Sequence, residues 1–325
     1  MKLIIDSGLK EALQGDLTRL NQSLERLAKE TDGTLGDLLS YVLIGSGKRV
    51  RPTLVMLAAR LGSPSQNNVE IVAQAVELVH IATLVHDDVI DKAAMRRGRN
   101  TVVNEHGVDT AVLLGDHIYT YAFQKVAELG NPLILKLLAQ STSIMCSGEI
   151  EQLKSRFQFN LSEAEYYSFI YKKTASLFGV SARAGAILAD QPIPVQLALE
   201  KYGVELGIAF QVTDDLLDIT GEEAIVGKTL RTDLMNGKMT LPLIHYRNGL
   251  QSKTDTENLM ETFHHPNGHL SELVQHLRTA GSIEYAEEAA RRHVSAALKA
   301  LESVPAGLTR DHLHSLAEML LRRQA

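Results

Sequence analysis

The amino-acid sequence predicts an all-α fold, and three observations carry the prediction. Proline is scarce, 8 in 325 residues, so few points force a helix to stop. Apolar residues recur at spacings of three and four, the period of one helical face. No stretch alternates strand and turn signals, and no Gly-rich strand-to-helix unit marks a doubly wound sheet. Length alone allows about two domains, yet no linker or low-complexity segment divides the chain. The expectation is one large helical domain over residues 1–325.

The elements follow in order. Leu9, Leu13, Leu17, Leu20, Leu24 and Leu27 form an apolar stripe near the start. Pro52 and Pro64 bound the next segment, and residues 76–85 are apolar nearly all round, as befits a helix in the middle of a bundle. After Pro132, Leu133, Leu137 and Ile144 lie on another helical segment. Ser162 with Glu165 reads as a capping box that opens a helix through residues 166–177. Pro192 and Pro194 precede a second stretch, 206–212, that is apolar nearly all round, and Pro266 and Pro305 mark the last junctions.

Lys+Arg is 33 and Asp+Glu is 39, a net charge of −6, which disfavours a nucleic-acid partner or a polybasic membrane tether. Cys146 stands alone, so no internal disulfide forms and a reducing cytoplasm is expected, with Cys146 a small core residue. The start, MKLIIDSGLK, lacks the apolar length of a signal peptide. The longest uncharged run, 137–148, is short of the ~18 residues a transmembrane segment needs, although a greasy product could be released at a membrane surface.

Acids interrupt the two apolar stretches. In HIATLVHDDVID, Asp87 and Asp91 are four apart and share a helical face, with Asp88 about 100° round. Two carboxylates one turn apart suit magnesium, a hard cation that also takes water and substrate phosphate. FQVTDDLLDIT repeats the arrangement with Asp214, Asp215 and Asp218, so the two clusters read as jaws across one cavity. Cations accompany both: Lys48, Arg49 and Arg51 in GSGKRVRP, Arg96 and Arg97 after the first cluster, Lys173, and Lys228 and Lys238 after the second. Such groups hold phosphate oxygens, which points to two diphosphates plus magnesium. GKT at 227–229 is not a P-loop, because five residues rather than four separate Gly221 from Gly227. An HD-type phosphohydrolase built on His80, His86 and Asp87 would leave the second cluster without a role.

GKRVRP, HDDVIDKAAMRRG, GEIEQL, YKKTASLF, FQVTDDLLD and GKTLRTDLMNGKMTLPLI, in that order over residues 45–244, together resemble the trans-isoprenyl diphosphate synthase family. The resemblance implies an isoprenoid-synthase-type bundle around a deep central cavity, usually a homodimer, with Mg2+ as cofactor. It implies that Asp87, Asp88, Asp91, Asp214, Asp215 and Asp218 are the catalytic acids, with Lys173 beside them and the metal on Asp87, Asp91 and Asp214. Lys48, Arg51, His80 and Arg97 match the residues that hold isopentenyl diphosphate. Arg96, Lys173, Thr174, Gln211, Lys228 and Lys238 match those around the allylic diphosphate. Thr229 and Arg231 depart from the family's pattern of Pro and Gly after that lysine.

Product length turns, in this family, on bulky rings four and five residues before the first acid. Here those positions are the small Thr83 and Ala82, so the expected product is hepta- to decaprenyl diphosphate, octaprenyl favoured, grown on farnesyl diphosphate for a quinone side chain. Tyr119, Tyr121 and Phe123 are candidates for the cavity floor, with core packing the other role open to them. The competing readings are a shorter-chain geranylgeranyl synthase, a class I terpene cyclase and a non-catalytic partner subunit. A second DDxxD and GKRVRP argue against the cyclase, and six retained acids against the inert subunit.

Overall fold

Leu9, Leu13, Leu20, Leu24 and Leu27 line the buried side of α1 (Ser7–Glu30), with Leu17 partly covered beside them. The computed structural model describes residues 7–44, 47–96, 98–221, 232–265 and 270–321. α2 (Gly33–Leu43) leads to α3 (Val50–Ala59), every residue of which is buried, and then to α4 (Gln66–Ile90). α4 packs on α1, α3 and α6 (Val108–Glu128), with the short α5 (Val102–His106) between. A two-residue antiparallel hairpin, Met95–Arg96 with Arg99–Asn100, joins α4 to α5.

The Asn131 side chain caps α7 (Pro132–Ser155) by accepting from the backbone N–H groups of Leu133 and Ile134. Within α7 Leu137 is buried, but Leu133 is 40% exposed and Ile144 half-buried, so only part of the expected stripe faces the core. Cys146 is exposed rather than a core residue. It follows Met145 by one position, about 100° round the helix, and Met145 is the one that faces inward.

The expected capping box is present at Ser162 and Glu165, opening α8 (Glu163–Ile170). The helix does not stop at 177. It passes through one π-helical turn, Tyr171–Ala175, and continues as α9 (Ser176–Leu188). α10 (Ile193–Thr220) runs beside α9 and serves two apolar clusters. Leu199, Tyr202 and Leu206 pack with α1–α4, α6, α7 and α9; Ile208, Val212 and Leu216 pack with the later helices. Those are α11 (Thr232–Met235), α12 (Leu241–Gly249), α13 (Lys253–His264), α14 (Leu270–Thr279) and the first half of α15 (Ser282–Ala300), whose second half returns to the first cluster together with α16 (Leu308–Leu321). Gly207 lets α10 lie against the π turn, since a Cβ there would stand 2.6 Å from Ala175 Cα.

α4 is long and apolar enough to cross a membrane, its best 18-residue window having a mean hydropathy of 1.4. That window is 67% buried among the other helices, so here it is the central helix of a bundle.

Candidate active site

The C-terminal ends of α4 and α10 supply the two acidic clusters. Asp87 and Asp88 lie in the last turn of α4, and Asp91 is its C-cap, its N–H donating to the Asp87 carbonyl at 2.8 Å. Asp214, Asp215 and Asp218 lie in the last two turns of α10. Burial raises the Asp87 carboxyl above the usual carboxylate range; Lys173 opposes this and Glu149 adds to it. Burial does the same at Asp88, against Arg96, whose Nε donates to Asp88 Oδ1 at 2.8 Å.

Lys173 sits in the π turn, and such turns inside α-helices recur at functional sites because they re-aim side chains. Its Nζ donates to Glu149 of α7 at 2.5 Å and lies 3.4 Å from Asp87. Burial acts to lower the Lys173 pKa, but Asp87 and Glu149 outweigh it and leave it raised. Lys238 Nζ is 3.1 Å from Asp233 and 3.8 Å from Asp91, and the Asp233 N–H donates to Asp218 at 3.1 Å. Asp91, Lys238, Asp233 and Asp218 therefore link the two acidic clusters. Arg156, at the end of α7, also donates to Asp91.

A chain of hydrogen bonds, buried at its Tyr166 end and partly buried elsewhere, supports the second cluster. Thr174 Oγ1 donates to Gln211 Oε1 at 2.8 Å, Gln211 Nε2 to Asp215 Oδ1 at 2.8 Å, and the Tyr166 hydroxyl to Asp215 Oδ2 at 2.7 Å. Burial, reinforced by Asp233, pushes Asp215 up to about 7 despite the hydrogen bonds from Gln211 and Tyr166. Arg156, Tyr166, Lys173, Gln211, Asp215 and Lys238 help line a cavity of about 60 Å³. That is room for a few waters, since one needs roughly 10–15 Å³.

The basic segment lies nearby. Arg51, buried in the first turn of α3, stacks its guanidinium 4.7 Å from the centre of the Phe178 ring. Burial lowers its pKa to about 10, while the charges of Glu77 and Asp214 pull it back up. Lys48 Nζ lies 5.8 Å from the Phe210 ring centre, next along α10 from Gln211. His80 is on α4, its carbonyl accepting from Thr83 Oγ1 at 2.6 Å.

Not every expectation meets at this site. Ala82 is fully buried, Thr83 is half-buried, and neither lines the cavity. Tyr119, Tyr121 and Phe123 are partly buried on α6, beside α4. Arg97, Lys228, Thr229 and Arg231 lie outside the described residues. Conversely, Glu149, Arg156, Tyr166 and Asp233 are in the network without having been singled out for a role; GEIEQL held a signal for Glu149 and GKTLRTDLMNGKMTLPLI one for Asp233.

The donor set fits a hard dication, being carboxylate oxygen throughout. Among the described residues no three acids form a ready-made metal cage. Magnesium needs none, because one or two carboxylates, water and phosphate complete its shell. Lys173, Lys238, Arg156 and Arg96 now compensate the same carboxylates.

A family model described as polyprenyl synthetase matches residues 32–279. Octaprenyl diphosphate synthase of Haemophilus influenzae is 37% identical over 312 residues, covering 95% of this chain and 94% of its own. Heptaprenyl diphosphate synthase component 2 of Geobacillus stearothermophilus is 35% identical, covering 96% and 97%. A crystal structure of polyprenyl synthase from Caulobacter crescentus, complexed with calcium and isoprenyl diphosphate, superposes with a TM-score of 0.90 at 31% identity, covering 98% and 97%.

Proposed function

We propose a specific reaction for this chain from the premise that it belongs to the polyprenyl synthetase family and is a long-chain trans-polyprenyl diphosphate synthase, a prenyltransferase. The reaction is condensation of isopentenyl diphosphate onto farnesyl diphosphate, repeated to octaprenyl diphosphate within a range of hepta- to decaprenyl. The observation that carries it is the pair of Asp-rich helix ends linked through Lys238 and Asp233, with Lys173 on the first.

The family uses a divalent metal. Asp87, Asp91 and Asp214 would hold magnesium, which when bound would supply Lewis-acid neutralisation of the departing diphosphate. Arg96, Lys173 and Lys238, with Lys228, take up the same charge electrostatically, and Thr174 and Gln211 orient Asp215 beside it. Lys48, Arg51, His80 and Arg97 hold isopentenyl diphosphate so that its double bond attacks the allylic cation. A proton then leaves to the released diphosphate, so no side-chain base is required. Buried walls around the acids keep water from the cation.

The whole chain, 1–325, acts as one domain in the cytoplasm, as a homodimer. Support for the dimer comes from α6 and α7, which touch each other and leave Val108, Val112, Leu113, Ile150 and Leu153 exposed, apolar area of the sort an interface covers. The name of the Geobacillus relative, a component 2, favours one second reading, in which another polypeptide is required.

The test incubates purified protein, magnesium, farnesyl diphosphate and labelled isopentenyl diphosphate, and reads product length by chromatography. One long polyprenol after dephosphorylation is expected. A stop at the geranylgeranyl stage would overturn the chain length, and activity that appears only with a second polypeptide would establish the partner.

A further inference from the structure

Between Lys48 and Arg51 stands Arg49, whose guanidinium makes a different set of bonds. Nη1 donates to Glu77 Oε1 at 2.6 Å and Nη2 to the Leu43 carbonyl at 3.1 Å. The pair is well buried, the two side chains being only 10% and 5% exposed. Arg49 also has φ 49° and ψ 34°, the left-handed conformation, which a residue with a side chain adopts only where its surroundings enforce it. From that residue α3 begins: the Arg49 carbonyl accepts from Thr53 N–H at 3.0 Å, which fixes the turn that carries Arg51. Lys48 is its other neighbour. Glu77 lies on α4 three residues before His80, and its charge reaches Arg51 as well.

We infer that the buried Arg49–Glu77 pair is the positioning device of the isopentenyl diphosphate half-site. It locks the left-handed residue from which Lys48 and Arg51 are aimed, and it keeps Arg49 itself off the diphosphate. Stability alone does not account for the pair, because a buried ion pair is commonly replaced by apolar residues at no loss. Holding an unfavourable backbone conformation beside two substrate-binding cations does. The inference rests on the reading that Lys48 and Arg51 bind isopentenyl diphosphate.

The test compares Arg49→Met/Glu77→Leu, Glu77→Gln and Lys48→Gln with the parent protein by thermal melting and steady-state kinetics. The double variant replaces the pair with apolar side chains and is expected to melt close to the parent. Its KM for isopentenyl diphosphate should rise about tenfold, while kcat and the KM for farnesyl diphosphate stay within about twofold. Glu77→Gln, which leaves Arg49 without its counter-charge, should raise the same KM. An unchanged KM in a folded double variant overturns the inference, as does an equal rise in both KM values. A fall in KM with Glu77→Gln also overturns it, because Arg49 would then be a diphosphate ligand in its own right. Lys48→Gln separates the premise: if it leaves the KM for isopentenyl diphosphate unchanged, the half-site reading fails and the inference with it.

Discussion

Asp215 accepts hydrogen bonds from Gln211 and Tyr166 and still holds its proton harder than an ordinary aspartate, because it is buried beside Asp233. Its folded pKa is raised from 3.8 to about 7, so it favours the folded state at low pH and loses that contribution as pH climbs through about 7. In metal-free protein, Asp215→Asn should therefore melt above the parent, by little at pH 4 and by a few degrees at pH 8. Its condensation rate should fall at least about a hundredfold. Thermal melts across pH and a rate assay check both, and a gap that does not widen with pH would refute the assignment. Asp215 was legible because it belongs to a repeated pattern, DDxxD at two places in one chain. Arg156 was not, since a single base shows no pattern and acquires its role from a partner 65 residues away, and Glu149 was marked only by the GEIEQL segment, its role coming from Lys173, 24 residues on.

Helices were legible where local chemistry declares them. Ser162 and Glu165 satisfy each other's backbone N–H groups at a spacing of three, so the start of α8 could be read directly. The π turn at Tyr171–Ala175 could not be, because one extra residue per turn leaves the apolar spacing on either side intact. It matters because it sets the rotation of Lys173 and Thr174 relative to Tyr166, which reaches Asp215 from the preceding helix. Deleting Tyr171 should restore a regular helix and turn one side against the other by about 100°. The circular dichroism of the variant should stay helical, while kcat drops roughly a hundredfold from misplacement alone. Unchanged kcat would show that the turn is incidental to the site.

At the scale of the molecule, the bundle follows from two stretches that are apolar nearly all round, 76–85 of α4 and the middle of α10, which only burial satisfies. The tail's path was harder to read, because a cavity is made by several helices at once and no single segment encodes it. Ala82→Phe tests that path: a shorter product from a folded variant places the growing tail along α4, against α6 with Tyr119, Tyr121 and Phe123. An unchanged product puts the tail elsewhere, and a variant that fails to fold marks Ala82 as core, where overpacking costs about 1–3 kcal/mol. α4 carries a further liability. Outside the fold, residues 66–90 expose a long apolar stretch that α1, α3 and α6 cover in the native state and that a second denatured chain can bind instead. Recovery from denaturant is then a race between docking and aggregation, tilted towards aggregation as protein concentration rises, and the helix that holds the first acids is one of the segments that must dock in time.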